Sequence, residues 1–187
     1  MWYPPVVTVA ETTGPISIED ALLHCRADDS DPSAIAEVTL YLAAAVAHVE
    51  QYLGTPLTTR TVSALADYFG DFERLPFGPV SSIASVSYVD VNGATQTLAG
   101  SVYRLIASGI DAFIELKPEQ AWPTIKAGER ITVTAVVGYA GLPFDIRAAI
   151  LLTTGHLYTN REATGANTTV DLPAGVAALL CNHRRGV

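Results

Sequence analysis

Apolar residues recur at three- and four-residue steps from Ser33 to Leu53, at Ile35, Val38, Leu42, Val46, Val49 and Leu53, and this period predicts the longest helix of the chain. Asp31 stands at its N-cap with Pro32 in the first turn, where a missing N–H costs nothing, and Gly54 followed by Pro56 ends it. The alanines at 43–45 and 47 leave little side-chain bulk, so another helix is able to approach on more than one side. A shorter helix is predicted over residues 17–27, capped by Ser17 with Asp20 at the reciprocal position and with Ile18, Ala21, Leu22 and Cys25 on one face.

Between 58 and 138 the period changes to two. Thr58 to Ala66, Ile83 to Val89, Thr95 to Leu98, Tyr103 to Ile106, Ala112 to Leu116 and Arg130 to Val137 are β-branched or alternate apolar with polar, which predicts a sheet of five or six strands. Asn92-Gly93 after Asp90 is a hairpin signal, because tight hairpin turns need positive φ. The helical period returns at Ile146, Ala149, Ile150, Thr153 and Leu157. Glu162 to Asp171 is small, polar and Gly-containing and reads as a flexible linker. Pro173 then opens a last short helix whose apolar face, Val176, Leu179 and Leu180, is too small to be stable without a surface to dock on. The expected fold is α+β: a helical bundle formed by the N- and C-terminal helices with an inserted, mainly antiparallel β-sheet section. In segments this gives N-terminal helices in 1–57, the β section in 58–138, a core helix in 139–161, and linker and docking helix in 162–187, all within one domain.

Composition places this pattern among soluble, ordered chains. With 187 residues, 49% hydrophobic and 16% charged, disorder is excluded and a core of ordinary size is available. No run of apolar residues reaches the eighteen or so of a membrane span, and Met1-Trp2-Tyr3-Pro4-Pro5 lacks the basic and apolar regions of a signal peptide, so synthesis in the cytoplasm is expected. The net charge is −8 and unevenly spread: residues 1–57 hold eight acids against Arg26 alone. A chain this acidic is poorly suited to gripping nucleic-acid phosphates.

The search for chemistry returns little. Phosphate-cradling, dinucleotide, nucleophile-elbow and zincin motifs are all missing from the sequence. His24-Cys25 with Cys181 and His183 offers four nitrogen and sulfur donors, but adjacent residues on a helix point about 100° apart, so buried thiols and surface histidines are the expected roles. Asp67, Asp71 and Glu73 surround Tyr68, Phe69 and Phe72, a pattern expected of edge acids beside hydrophobic plugs, with a carbohydrate-binding or carbohydrate-processing β module as the alternative. No catalytic residue, metal site or cofactor is assigned.

Taken in order, many segments resemble the phage head-tail connector (adaptor) family, the gp6-like adaptors and related gp8-like prophage proteins. They are Ile18-Glu19-Asp20-Ala21, Arg26-Ala27-Asp28, Val49-Glu50, Gly54-Thr55-Pro56-Leu57, Leu75-Pro76-Phe77-Gly78-Pro79-Val80, Tyr88-Val89-Asp90 with Asn92-Gly93, and Tyr103. Trp122-Pro123, Val137-Gly138-Tyr139, Ile150 to His156-Leu157-Tyr158, Asn160-Arg161-Glu162 and Leu172-Pro173-Ala174-Gly175-Val176 with Leu179-Leu180 and Arg184 complete the series. The resemblance implies a non-enzymatic protein of a tailed phage or of a phage-derived particle such as a gene transfer agent, located at the head-tail neck. It implies a homo-oligomeric ring, commonly of twelve subunits, beneath the portal protein, with a stopper or tail-completion protein below. DNA passes through without sequence-specific binding, and no membrane is involved. A stopper or tail-completion role in the same neck is the alternative. The C-terminal segment of such adaptors engages the portal, which here makes Val176, Leu179, Leu180, Arg184 and Arg185, with Arg161 and Glu162 before them, the expected interface with portal or neighbouring subunit.

Overall fold

Strand β7, Ile131–Val137, is the middle of a five-stranded sheet, and its alternation shows why it lies there: Ile131, Val133, Ala135 and Val137 are fully buried while the residues between them are half-buried. The computed structural model that carries this sheet describes residues 1–11, 13–160 and 174–185. The strand order is β1-β2-β7-β3-β4, where β1 is Val6–Val9, β2 Arg60–Ala66, β3 Val80–Val89 and β4 Thr95–Thr97, and every pairing is antiparallel. Along β2 the buried positions Val62, Ala64 and Ala66 follow the same period. Strands β5, Tyr103–Ser108, and β6, Asp111–Leu116, form a separate hairpin. Its Tyr103, Ala112 and Ile114 join the same core, as do Phe69 and Phe72 from a 3₁₀ turn over Phe69–Glu73, and Leu75 and Phe77 from the connector after it. At the β3–β4 turn, Asp90 Oδ1 accepts from the N–H groups of Asn92 and Ala94, and Gly93 takes the positive φ that the Asn-Gly pair foretells.

The helices are α1, Ile18–Cys25, α2, Pro32–Leu53, α3, Phe144–Thr159, and α4, Ala174–Leu180, the last running into a 3₁₀ turn over Cys181–His183. Their ends follow the sequence signals. Ser17 Oγ accepts the Asp20 N–H, Asp31 Oδ1 accepts the Ser33 N–H, and Gly54 closes α2 in the left-handed region. Ala21 and Leu22 of α1, Val38, Leu42, Ala45, Val49 and Leu53 of α2, and Ile146, Ala149 and Ile150 of α3 are buried. Hydroxyls of Thr153 and Thr154 are buried as well, and each donates to the carbonyl four residues earlier, so neither is left unsatisfied. The Arg147 guanidinium reaches the Asp20 carboxylate at 2.6 Å and ties α3 to α1.

The fold class is therefore α+β. The chain divides into two compact units, Met1–Thr12 with Thr58–Ala140 and Thr13–Leu57 with Gly141–Val187. The sequence pattern grouped residues 1–57 as helical, whereas the first dozen side with the sheet: β1 pairs with β2, and Trp2 bridges to Ala66. Val6, Val7 and Val9 are all exposed on this edge strand, so it lacks the apolar-polar alternation that would reveal it. The linker read over 162–171 lies outside the described residues.

Candidate assembly surface

Of the acids and aromatics around residues 67–73, Asp67, Phe69, Asp71 and Phe72 belong to the packing of the sheet unit, while Tyr68 and Glu73 are exposed. Asp71 Oδ2 accepts from the N-terminal ammonium of Met1 and from the backbone N–H groups of Asp67 and Tyr68. Burial pushes the Asp71 carboxyl up, but the ammonium and these N–H groups outweigh it and hold the group below the usual carboxylate range. Asp67 is shared between the same ammonium and Arg130, each at 3.5 Å. Phe69 and Phe72 are buried, Phe69 stacking on Trp122 with centroids 4.7 Å apart and Phe72 on Trp2 at 5.8 Å. An acid held ionised by three donors is a poor general acid, and buried rings offer a sugar no platform. Asp67 and Asp71 thus act in an N-terminal clamp, and Phe69 and Phe72 in an aromatic core.

The four nitrogen and sulfur donors are likewise dispersed. His24 lies against Gly155, where an added Cβ would come within 3.2 Å of the ring. Cys25 is half-buried and burial pushes its thiol up, away from the reactive thiolate. Cys181 is exposed, its Sγ directed at the Ala178 carbonyl, and His183 Nε2 is 2.6 Å from Asp145 Oδ2. Among the described residues no group of three or more His, Cys, Asp or Glu is arranged to hold a metal ion.

The C-terminal segment, expected to seek a partner, has a place in its own unit. Val176 and Leu180 of α4 are each 1% exposed, α4 packs on α3, and Leu179 is half-buried. Beyond the helix, the Arg184 guanidinium sits 5.3 Å from the centroid of the Tyr52 ring. The Arg185 N–H donates to the Leu53 carbonyl at 3.0 Å, satisfying one of the open acceptors at the end of α2. The described structure thus gathers Val176, Leu179, Leu180, Arg184 and Arg185 on one segment along α3 and the end of α2. Arg161 and Glu162 lie outside the described residues.

What sequence reasoning left unassigned is the outward half of α2. Ala36, Thr39, Leu40, Ala43, Ala44, Ala47, His48 and Gln51 are exposed, opposite the buried Val38, Leu42, Ala45, Val49 and Leu53. Its two charged residues are both drawn half inward: Glu50 Oε1 accepts the Leu57 N–H at 2.8 Å, and Glu37 stands beside the Tyr41 hydroxyl. The alanine run was the visible signal. Among the described residues α2 is also the one helix long and apolar enough to cross a membrane by length and composition, yet only 28% of its most apolar window is buried. Three more large apolar side chains of the same unit are exposed, Leu23 on α1 at 80%, Phe144 at the start of α3 at 89% and Leu152 on α3 at 40%.

No protein-family model matches this chain, and no curated protein matches it in sequence. Solved structures do. A chain in the neck of an empty gene transfer agent (GTA) particle computed with C6 symmetry superposes with a TM-score of 0.77 at 23% identity, over 99% of this chain and 97% of that one. A chain in the virion of a native GTA particle gives 0.72 at 24%, and one in the neck of a native GTA particle computed with C12 symmetry gives 0.66 at 25%, each over 96% of both chains. The fold is shared along essentially the whole length of all three.

Proposed function

We propose that the chain is a structural, non-enzymatic component of the neck of a phage-like particle, and that within the neck it is the head-tail connector, a ring beneath the portal joining the DNA-filled capsid to the tail. The observation that carries the reading is end-to-end likeness to chains of particle necks and of a virion. The geometry is consistent with it, since Asp67, Asp71 and His183 are engaged in ion pairs and Cys25 is half-buried. Its partners in this role are further copies of itself, twelve in the particle, the portal above, and a stopper or tail-completion protein below. The acidic character suits a channel that DNA traverses without being gripped. The C-terminal segment is proposed as the portal-facing contact, with Val176 and Leu180 holding it in place while Leu179, Arg184 and Arg185, with Arg161 and Glu162 ahead of them, meet the partner.

A stopper or tail-completion protein of the same particle is the second reading, since the likeness is to neck and virion chains and not to one named component of the neck. Imaging of purified particles carrying an epitope-tagged chain tests both. A tagged ring of twelve directly under the portal is the expected result. A ring of six farther from the capsid supports the second reading, and no tag at the neck overturns both.

A further inference from the structure

Of the four asparagines in the chain, at 92, 160, 167 and 182, only Asn92 is followed by glycine. Such a pair is chemically weak. The backbone nitrogen of the following residue, once it gives up its proton, attacks the side-chain amide carbon, and only glycine lacks a Cβ to hinder it. A C–N bond forms, ammonia leaves with the proton, and water then opens the cyclic imide to aspartate or to isoaspartate. Asn92 and Gly93 are both exposed at the tip of the β3–β4 hairpin, where water and base reach them.

The hairpin opposes the attack. The Gly93 N–H donates to the Asp90 carbonyl at 2.9 Å, the bond that closes the turn, so its proton is engaged and its nitrogen held in place. Asp90 Oδ1 accepts the Asn92 and Ala94 N–H groups at 2.9 and 3.0 Å, and Oδ2 accepts from the Gln96 amide at 2.9 Å. Donation from Gln96, with the N–H groups of Ala94, Asn92 and Gly93, holds the Asp90 carboxyl below the usual carboxylate range, so these bonds are in place at neutral pH. The base of the hairpin is fixed as well, since Asp90 bridges to Ile125 and the Lys126 N–H donates to the Val89 carbonyl at 2.9 Å. Attack therefore needs the turn to open first. We propose that Asn92 is the site at which this chain is modified without an enzyme, by deamidation to aspartate and isoaspartate, and that the turn capped by Asp90 sets the rate. The modification is independent of any role in a particle neck. Isoaspartate adds a methylene to the backbone inside a hairpin that pairs Val89 with Thr95, and either product sets a new carboxylate beside Asp90.

Peptide mapping by mass spectrometry, with aspartate and isoaspartate separated by chromatography, tests this on the purified full chain held for several weeks at mildly alkaline pH. In the folded parent Asn92 should convert ahead of Asn160, Asn167 and Asn182 and give both products. In guanidinium chloride the parent should convert at Asn92 at least roughly tenfold faster, because the charge-assisted hydrogen bonds that close the turn together exceed the energy of one tenfold step in rate. Asp90→Ala, kept well below its own melting temperature, should convert in the folded state faster than the folded parent. Gly93→Ala in guanidinium chloride should suppress conversion at 92, which separates attack by the backbone nitrogen from direct hydrolysis by water. Another asparagine converting first in the folded parent, or Asn92 remaining an amide there, overturns the site, and unchanged conversion of Gly93→Ala overturns the route. Equal rates in the folded and denatured parent overturn the control by the turn, a comparison that needs no variant to fold, as does the parental rate in folded Asp90→Ala.

Discussion

At the scale of single residues, Gly138 is the most constrained position of the sheet unit. Its φ is +100°, its N–H donates to the Pro79 carbonyl, and a Cβ placed on it would lie 2.1 Å from the carbonyl oxygen of Thr58. Backbone on two sides cannot swing away as a flexible side chain would. Gly138→Ala should therefore cost about 2 kcal/mol or more and lower the melting temperature by several degrees, which calorimetry on the purified variant would measure. The sequence shows a glycine between Val137 and Tyr139, but not that residues 58 and 59 pass against it.

At the scale of elements, the C-terminal segment has a pH dependence that can be derived from one pair. Burial raises the Asp145 carboxyl, but the hydrogen bond with His183 and the Ile146 N–H outweigh it, leaving the group lowered in the folded chain. A carboxylate lowered in this way adds stability fully present above its unfolded value near 3.9, and that stability is lost as pH falls through the lower folded value. Amide protection over Ala174–His183, measured by hydrogen exchange, should thus fall as the pH drops below about 4, and Asp145→Asn should flatten the change. The same docking alters how a truncation is read. Removing residues 172–187 also strips Val176 and Leu180 from the core, so failed incorporation of that deletion would not by itself identify an interface.

At the scale of the whole molecule, charge and surface together set what the protein binds. Nineteen acids against eleven bases make the chain net acidic, and among the described residues Arg130, Arg147, Arg104 and Arg74 are paired with Asp67, Asp20, Glu115 and Asp111. The isolated chain should give no shift of duplex DNA in a gel at about 0.15 M salt, and a measurable complex there would count against a channel that lets DNA slide.

Periodicity and turn chemistry alone determined the helices, their caps at Ser17, Asp31 and Gly54, the strands from β2 to β7, and the α+β class, because these follow from neighbours within a few residues. The ordered resemblance along the chain also pointed to particle necks. Only the tertiary structure decided the rest. The exposed edge strand Val6–Val9 is a strand because β2 offers it a partner. The acids at 67 and 71 are clamps because the chain's first residues fold back onto them. Val176 and Leu180 are buried because α3, some thirty residues upstream, supplies the surface that a short helix cannot make for itself. The alanines of α2 were visible in the sequence, but which of them face outward was fixed only by the helices packed against the other side.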